Sequence, residues 1–389
     1  MVAITPQSKT LLAERAIAIW LFFCCAMIFA MVLIGGITRL TESGLSITEW
    51  QPIEGVLLPL NAAEWNDAFA RYRAIPQYLA VHPDMTLAQF KNIYFWEYFH
   101  RLWGRLIGVV FLLPFLYFLW RGMVTRALAP KLAGLFVLGG LQGALGWYMV
   151  ESGLETRIEV SQYRLAAHLA MAVIIYLAML WVALDLINAS RVFSSLAPAK
   201  WGRGQGEGVS PSSLRQRHPA SNAPLTRPSP PAGRGERGIR ALRRGAALVL
   251  CLVFVTLVAG AFVAGTRAGY IDNTFPLMEE HFAPPDYWHL VPWWRNWFEN
   301  LASVQFDHRV LAETTWLAVA VLWLSSLKAK LAPMARWALH ALFAAACLQV
   351  ALGISTLLTV VWLPIAVAHQ GGALLLITAA LVAQHALRA

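Results

Sequence analysis

The stretch Phe95-Trp-Glu-Tyr-Phe-His-Arg-Leu-Trp-Gly104 sets charged and polar side chains among aromatic residues, directly before a long apolar run. Glu97 and His100 are three residues apart, so on a helix they lie on the same face. A carboxylate, an imidazole and a guanidinium are costly to place at the mouth of a membrane helix, and such groups usually serve a function. The stretch Val304-Gln-Phe-Asp-His-Arg309 repeats the pattern before another apolar run, with Gln305 in the place of the glutamate.

The composition indicates a membrane protein. Of the 389 residues, 58% are hydrophobic and 13% are charged, whereas a soluble protein carries about twice that share of charge. The 17 tryptophans are typical of membrane interfaces. The net charge of +10 does not point to nucleic acid, because the basic residues gather in alternate loops, as membrane topology requires. We therefore expect a lipid bilayer around the chain and no nucleic-acid partner.

Eight apolar runs approach the length of about 20 residues that a membrane-spanning helix needs. They lie near 16–38, 102–120, 131–150, 164–187, 245–265, 309–327, 336–357 and 363–386. The last two form a nearly continuous run, which we divide at Thr359-Val-Val-Trp-Leu-Pro364 because proline and tryptophan favour an interfacial turn there. The sequence thus predicts an all-α polytopic membrane protein with eight transmembrane helices.

The loop charges predict the orientation. Basic residues occupy the N-terminal tail and the second, fourth and sixth connections, which places these segments in the cytoplasm. The long connections 39–101 and 266–308 then face outward, and both termini are cytoplasmic. The first apolar run is too long for a signal peptide, and no long transit peptide precedes it. These features favour a bacterial inner (plasma) membrane.

Two connections have recognisable local patterns. Asn61-Ala-Ala-Glu64 and Thr86-Leu-Ala-Gln89 are helix-start patterns, so two helices are expected in the first outer loop, the second continuing into the next span. Residues 191–244 are rich in Gly, Pro, Ser and Arg and lack apolar periodicity over most of their length. We predict a disordered, basic cytoplasmic linker there.

Short motifs recur in the same order on both sides of that linker. The matched pairs are Gly36–Gly44 with Ala264–Gly269, His100-Arg101 with His308-Arg309, Leu141–Gly146 with Leu348–Gly353, and His168 with His369. Each unit has four spans, so the two units share an orientation and are related by a pseudo-twofold axis along the membrane normal. This predicts two similar four-helix bundles, 1–190 with the outer loop 39–101, and 245–389.

Each bundle carries one histidine at the outer mouth of its second helix and another within its fourth. A lone membrane histidine is often only hydrogen-bonded to a neighbour, but histidines recurring at matched positions favour haem, whose iron binds imidazoles from facing helices. The candidate pairs are His100 with His168 and His308 with His369. The remaining histidines are expected to be structural: His82, His218, His281, His289, His340 and His385.

Several polar residues accompany these pairs. Arg101 and Arg309, together with Arg39 and Arg267 at the ends of the first helices, are candidates to bind haem propionates, because guanidinium binds carboxylate in a bidentate manner. Interfacial snorkelling is the alternative. The matched residues Gln142 and Gln349 either hydrogen-bond a ligand's second nitrogen or pack helices.

The two bundles differ at one decisive position. Glu97 provides a carboxylate, which can accept protons or stabilise positive charge while a bond to carbon is oxidised, and the amide of Gln305 can do neither well. The simplest division puts the chemistry in the N-terminal bundle and a permanent electron-transfer haem in the C-terminal one. A salt bridge from Glu97 to Arg101 or Arg105 is the alternative role.

The run from Gly36 to Gly104, with the motifs Thr38-Arg-Leu-Thr-Glu-Ser-Gly-Leu-Ser46 and Glu97-Tyr-Phe-His-Arg101, resembles the heme A synthase family. The resemblance covers both bundles and omits only a linker at about 195–242. It implies an enzyme that oxidises the C8 methyl of haem O, through hydroxylated intermediates, to the formyl of haem A for cytochrome c oxidase. A haem O-producing farnesyltransferase (heme O synthase) and oxidase assembly factors are the partners implied; a homo-oligomer is left open.

The same resemblance assigns the site residues. It implies that His100 and His168 hold the substrate haem with Glu97 as the catalytic carboxylate, and that His308 and His369 ligate a haem b cofactor. Two features differ from some relatives, since no cysteine pair lies in an outer loop and the linker is long. The alternatives are a di-haem b-type cytochrome oxidising quinol, which does not need the difference between Glu97 and its counterpart, and a haem carrier.

Overall fold

A computed structural model describes residues 6–49, 57–154, 158–196 and 234–388. The α-helices in these ranges are α1 (Pro6–Leu40), α2 (Ala62–Arg73), α3 (Pro76–Val81), α4 (Leu87–Trp120), α5 (Ala129–Leu154), α6 (Gln162–Leu196), α7 (Arg234–Thr266), α8 (Asn296–Glu299), α9 (Leu301–Ser326), α10 (Pro333–Leu358) and α11 (Leu363–Ala386). The short helices α2, α3 and α8 lie in the two connections predicted to face outward. The all-α, polytopic membrane class is confirmed.

Seven of the long helices are apolar and long enough to cross a membrane, namely α1, α4, α5, α6, α7, α10 and α11. The helix on the sixth predicted span, α9, has 26 residues and is long enough but too polar to be counted with them. Its polarity is due to Asp307, Arg309 and Glu313 in its first half. Since α9 packs between α7 and α10, it completes the second bundle as the counterpart of α4.

Both predicted helix starts in the first outer loop are confirmed. The side chain of Asn61 accepts a hydrogen bond from the backbone N–H of Glu64, and Thr86 and Gln89 form a reciprocal capping box. From there α4 continues for 34 residues, so the outer segment and the membrane segment form one rigid element. The helix α3, which begins at a proline in its first turn, was not predicted.

Helices extend into the predicted linker 191–244 from both sides. Helix α6 continues to Leu196 and α7 already begins at Arg234. Once a helix has formed, each added residue gains a hydrogen bond without a new nucleation step, and the arginines, alanines and leucines after Arg234 are good helix formers. The predicted disorder of 197–233 concerns residues outside the described ranges.

The packing pattern reflects the internal repeat. In the first bundle α1 packs on α4 and α6, while α5 packs on α4 and α6; in the second, α7 packs on α9 and α11, while α10 packs on α9 and α11. Between the bundles, α1 packs on α11 and α6 packs on α7. The first helix of each bundle therefore contacts the fourth helix of the other, as a pseudo-twofold axis along the helices requires.

The predicted turn between the last two spans is confirmed. Helix α10 ends at Leu358 and α11 begins at Leu363, and the backbone reverses through Val360 and Val361, whose φ angles are 51° and 58°. These two valines adopt the left-handed conformation, which is unfavourable for β-branched residues. The tight reversal holds α10 and α11 side by side, which sets the distance between Gly353 and His369 described below.

Candidate functional site

Each of the four repeated histidines lies against a glycine of a neighbouring helix. A Cβ atom built on the glycine would lie close to the imidazole Cε1 in every case: 3.4 Å for Gly35 and His100, 2.9 Å for Gly146 and His168, 3.1 Å for Gly260 and His308, and 3.0 Å for Gly353 and His369. At Gly146, Gly260 and Gly353 a Cβ would press on the imidazole, so these positions favour a residue without a side chain, whereas the 3.4 Å at Gly35 is an ordinary van der Waals distance. Gly146, Gly260 and Gly353 therefore cradle the rings of His168, His308 and His369.

The sequence-predicted pairs are brought together. The side chains of His100 and His168 lie close enough for their charges to interact, and so do those of His308 and His369. All four residues remain partly exposed although they lie within helical bundles, so they line spaces between the helices. The Nδ1 atom of His308 has the carbonyl of Thr256 nearby but is buried without a hydrogen bond to any described residue.

The matched glutamines contact the inner histidine of each pair. The Nε2 atom of Gln142 lies 3.1 Å from Nδ1 and 3.3 Å from Nε2 of His168, and Nε2 of Gln349 lies 3.1 Å from Nδ1 of His369. The sequence allowed either hydrogen bonding or helix packing for these residues, and the structure shows the hydrogen bond. In both glutamines the Oε1 atom is buried without a partner in the described part of the chain.

Glu97 is buried, with 3% of its surface exposed, and connects α4 to the loop after α1. Its Oε2 atom accepts hydrogen bonds from the Ser46 hydroxyl and the Ile47 backbone N–H, both at 2.8 Å. Its Oε1 atom accepts a hydrogen bond of 2.6 Å from Arg101. The ion pair considered from the sequence is present, and three donors stabilise the charged carboxylate.

Gln305 anchors the corresponding loop with the hydrogen bonds reversed. Its Nε2 atom donates to the carbonyls of Ala268, at 2.8 Å, and Ile271, at 2.6 Å, while its Oε1 atom accepts a hydrogen bond of 2.9 Å from Arg309. The loop after α1 presents N–H and O–H donors to Glu97. The loop after α7 presents carbonyl acceptors to Gln305. The two residues are consequently not interchangeable, because a swap would set like groups against each other.

The arginines beside the outer histidines bind the same loops. Arg101 donates to the carbonyl of Ile47 at 3.0 Å, and Arg309 donates to the carbonyls of Asp272 and Thr274 at 2.6 and 2.9 Å. The Nε atom of Arg309 is buried and has no partner within the described ranges. The Nε–H group of Arg309 can therefore donate a hydrogen bond to an anionic group.

Arg39 and Arg267, one from each bundle, meet at Glu159. Arg39 donates to Glu159 at 2.6 Å, and Arg267 pairs with Glu159 and, at 2.5 Å, with Glu42. From the sequence, haem propionates and interfacial snorkelling were the two roles considered for these arginines, and both acidic partners were missed, although Glu42 stands within the quoted motif Gly36–Gly44. The buried Nε of Arg39 has no hydrogen-bond partner among the described residues and remains available for a carboxylate.

Replacing Glu159 with alanine is expected to weaken the outer contact between the bundles. It leaves two guanidinium groups facing each other without their shared counterion, which should lower the free energy of unfolding by about 1 kcal/mol. Thermal unfolding in detergent measures this effect. The control is Glu236→Ala, which removes an exposed pair with Arg240 and should change nothing; equal stability of both variants would contradict the expectation.

Replacing Gly146 or Gly353 with alanine is expected to displace one imidazole each, because the new Cβ would press on Cε1 of His168 or His369. We expect a loss of haem binding of at least about tenfold in the affected bundle, as for other residues that orient metal ligands, measured by haem content after purification. Gly140→Ala on the same helix α5 is the control, since its Cβ would meet nothing within 4 Å. Unchanged haem content in both cradle variants would show that the glycines do not position the rings.

The other described histidines have partners of their own. They are His82 with Glu42 and Tyr72, His289 with Asn300, His340 with Trp323 and His385 with Asp185, while His281 takes part in a backbone bridge to Met278. Burial and the nearby Glu42 charge raise the pKa of Tyr72, so its hydroxyl stays protonated beside His82 and Gln77. Within the described ranges no cluster of three or more His, Cys, Asp or Glu side chains could hold a bare metal ion.

These features fit haem. Two imidazoles from facing helices can bind one iron axially, and the glycine cradles hold the rings where larger side chains would clash. The unpaired donors of Arg39 and Arg309 suit the carboxylates of propionates. A histidine pair with a cradle glycine and a glutamine is present in each bundle, and among the described residues a buried carboxylate one turn from the outer histidine is present only in the first, as Glu97.

Comparison with known proteins gives consistent matches over nearly the whole chain. The sequence profile of the cytochrome oxidase assembly protein family matches residues 18–206 and 220–381. Heme A synthase of Nitrosospira multiformis is 48% identical over 96% of this chain and 94% of the relative, and heme A synthase of Rhodospirillum centenum is 50% identical over 95% of this chain and 88% of the relative. The chain therefore belongs to the heme A synthase family of cytochrome oxidase assembly proteins.

Proposed function

We propose that this chain oxidises the C8 methyl of haem O to a formyl group and so produces haem A for cytochrome c oxidase. The relatives named heme A synthase, which match 96% and 95% of the chain, support this activity. The observation that carries the proposal is the contrast between the bundles, which share histidine pairs, glycine cradles and glutamines but differ at Glu97 and Gln305. In an electron conduit this difference would serve only to anchor the two loops, whereas an enzyme with one reactive site and one cofactor site also requires a carboxylate in just one of its bundles.

The two histidine pairs have different tasks in this proposal. His100 and His168 hold the substrate haem, because their bundle contains the carboxylate. His308 and His369 hold haem b as a permanent cofactor, whose iron supplies one-electron redox chemistry when it is bound. In the second bundle, Gln349, Gly260 and Gly353 keep the two imidazoles in position to bind this iron.

Glu97 acts next to the reacting methyl group. Oxidation of a methyl group releases protons and builds positive charge on the carbon, and a fixed carboxylate in a water-poor site stabilises that charge strongly. Arg101 holds Oε1 of Glu97, so a proton arriving there replaces the hydrogen bond from the guanidinium. The loop donors Ser46 and Ile47 keep Oε2 in place throughout.

Four arginines orient the two porphyrins in the proposal. Arg39 and Arg101 serve the substrate haem, and Arg267 and Arg309 serve the cofactor. The free Nε donors of Arg39 and Arg309 support contacts to propionates. The ion pairs at Glu159 keep Arg39 and Arg267 at the junction of the bundles.

The cellular setting follows from the charge distribution and the reaction. The chain is a multi-pass membrane protein, and its basic connections favour a cytoplasmic position of both termini in a bacterium, with the histidine pairs toward the outer side. Haem O carries a long apolar farnesyl chain and therefore stays in the membrane, so a membrane-bound heme O synthase is the natural donor. Assembly factors of cytochrome c oxidase are the natural acceptors of the product.

Expression in a bacterial host that makes haem O but no haem A tests the proposal. Extraction of the haems should show haem A with the wild-type chain and none with the His100→Ala variant. Unchanged haem O together with a stable haem b would favour the di-haem cytochrome. Bound haem O without a permanent haem would favour a carrier.

A further inference from the structure

A cavity of about 280 Å³ lies between the loop after α1, helix α2 and the outer half of α4. Each of these segments contributes charged or polar groups to its lining, which includes Ile47, Glu49, Asp67, Ala68 and Arg101. A polar space of this size holds several water molecules, since one water molecule needs roughly 10–15 Å³ of such space. None of the four haem-binding histidines is among the described residues that line it, so the cavity is separate from the haem pockets.

Two residues of the lining are in direct contact with the Glu97 carboxylate. The backbone N–H of Ile47 donates to Oε2 at 2.8 Å, and Arg101 donates to Oε1 at 2.6 Å. Glu97 itself is buried and is not among the described lining residues. The carboxylate is therefore separated from the cavity only by the groups that hydrogen-bond to it.

Arg101 is held at the inner end of the cavity by more than its contact with Glu97. Its guanidinium also donates to the carbonyls of Ile47, at 3.0 Å, and Glu49, at 3.3 Å. When Glu97 takes up a proton and loses the hydrogen bond from Arg101, these two carbonyls keep the guanidinium in place. The nearby positive charge then favours the return of the charged carboxylate, so the proton is driven away from Glu97.

The other end of the cavity reaches the outer surface. There Arg71 of α2 lies 3.4 Å from Glu49 and also pairs with Asp67. The side chains of Glu49 and Asp67 are 45% and 64% exposed, so these carboxylates can exchange protons with the outer solution. The cavity thus extends from the contacts of the buried carboxylate to water outside the membrane.

We propose that this cavity is the proton outlet of Glu97. A proton that Glu97 takes from the reacting methyl group passes to water in the cavity and from there to the outer solution. The carboxylate then regains its hydrogen bond from Arg101 and is ready for the next proton. This inference rests on the proposed function, because it requires that Glu97 receives protons during the reaction.

A cysteine in place of Ala68 tests the outlet, because Ala68 lines the cavity and is only 7% exposed. In the purified full-length protein loaded with haem, the membrane-impermeant reagent sulfonatoethyl methanethiosulfonate should label Ala68→Cys through the cavity and fill it. Mass spectrometry measures the labelling independently of activity. The wild-type protein gives the background, since its four cysteines lie within membrane-spanning helices.

The labelled Ala68→Cys protein should form haem A about tenfold more slowly, with unchanged haem b content, because Glu97 loses its proton slowly. Its solvent deuterium isotope effect should increase, and removal of the label by a reducing agent should restore the rate. Ala70→Cys is the matched control, because Ala70 is an exposed residue of α2 outside the described lining. Labelling there should leave the rate and the isotope effect unchanged.

Absence of labelling at Ala68→Cys, or a labelled protein with the unlabelled rate and isotope effect, would overturn the inference. Equal slowing of both labelled variants would also overturn it, since added bulk on α2 would then be the cause. Should Ala68→Cys fail to retain haem b, Leu60→Cys takes its place under the same criteria, because the exposed Leu60 also lines the cavity. If the unlabelled wild-type protein forms no haem A, the proposed function itself fails.

Discussion

Replacement of Glu97 by glutamine is expected to reduce haem A formation by at least about 100-fold, the usual contribution of a group that handles protons or charge at a reacting centre. The amide cannot take a proton from the oxidised methyl group or neutralise its positive charge. Haem A and haem O are measured by extraction from membranes, and haem b content reports whether the second bundle is intact. Haem A production near the wild-type level would remove Glu97 from the reaction.

The hydrogen bonds around Glu97 supply the control. An amide at this position loses at least one donor contact from Ser46, Ile47 or Arg101, which costs about 1–3 kcal/mol even if the residue has no chemical role. The reciprocal variant Gln305→Glu has the same kind of mismatch, since its carboxylate faces the carbonyls of Ala268 and Ile271. Both variants should lose similar stability, but only Glu97→Gln should lose the chemical step with haem O still bound.

Replacement of His308 and His369 together by alanine is expected to remove haem b from the purified protein and to abolish haem A formation. The other histidines of the helices in the C-terminal bundle have partners of their own, since His340 accepts from Trp323 at 2.8 Å and His385 lies 2.8 Å from Asp185. Absorbance in the Soret region and extracted haem content measure the loss. His340→Ala serves as the control and should retain both haem b and activity.

The outcome for haem O separates two explanations of lost activity. If the double variant still binds haem O without oxidising it, the second pair supplies electron transfer to an intact substrate site. Retention of haem b after both replacements would contradict the assignment of these histidines as its ligands.

The spans, the repeat and the histidine pairs were predictable because each depends on local pattern. Apolar length identifies the helices, and the ordered motifs align Gly146 with Gly353 without any structure. The helix starts at Asn61 and Thr86 were predictable for the same reason, since a cap depends on residues three positions apart.

The surroundings of the arginines were not predictable, because they depend on distant parts of the chain. Arg39 meets Glu159 from the connection before α6, and Arg267 meets the same carboxylate from the other bundle. Only the packing of the two bundles brings these three charges together. A search for partners near Arg39 in sequence therefore misses Glu159.

The meaning of the exchange between Glu97 and Gln305 was only partly predictable. The sequence showed a lost charge and suggested chemistry. It did not show that one loop presents N–H and O–H donors where the other presents carbonyls, because this depends on backbone direction at Ile47, Ala268 and Ile271. The structure thus adds a loop-anchoring role to both residues, and experiments on Glu97 must account for it.

The central claim is that one histidine pair holds a cofactor and the other a substrate. The most direct measurement is the haem composition of the protein purified from a host that makes haem b and haem O, with His100 and His168 both replaced by alanine. The account predicts that this variant keeps haem b and loses haem O and haem A. Loss of haem b from this variant, or retention of haem O by it, would contradict the account.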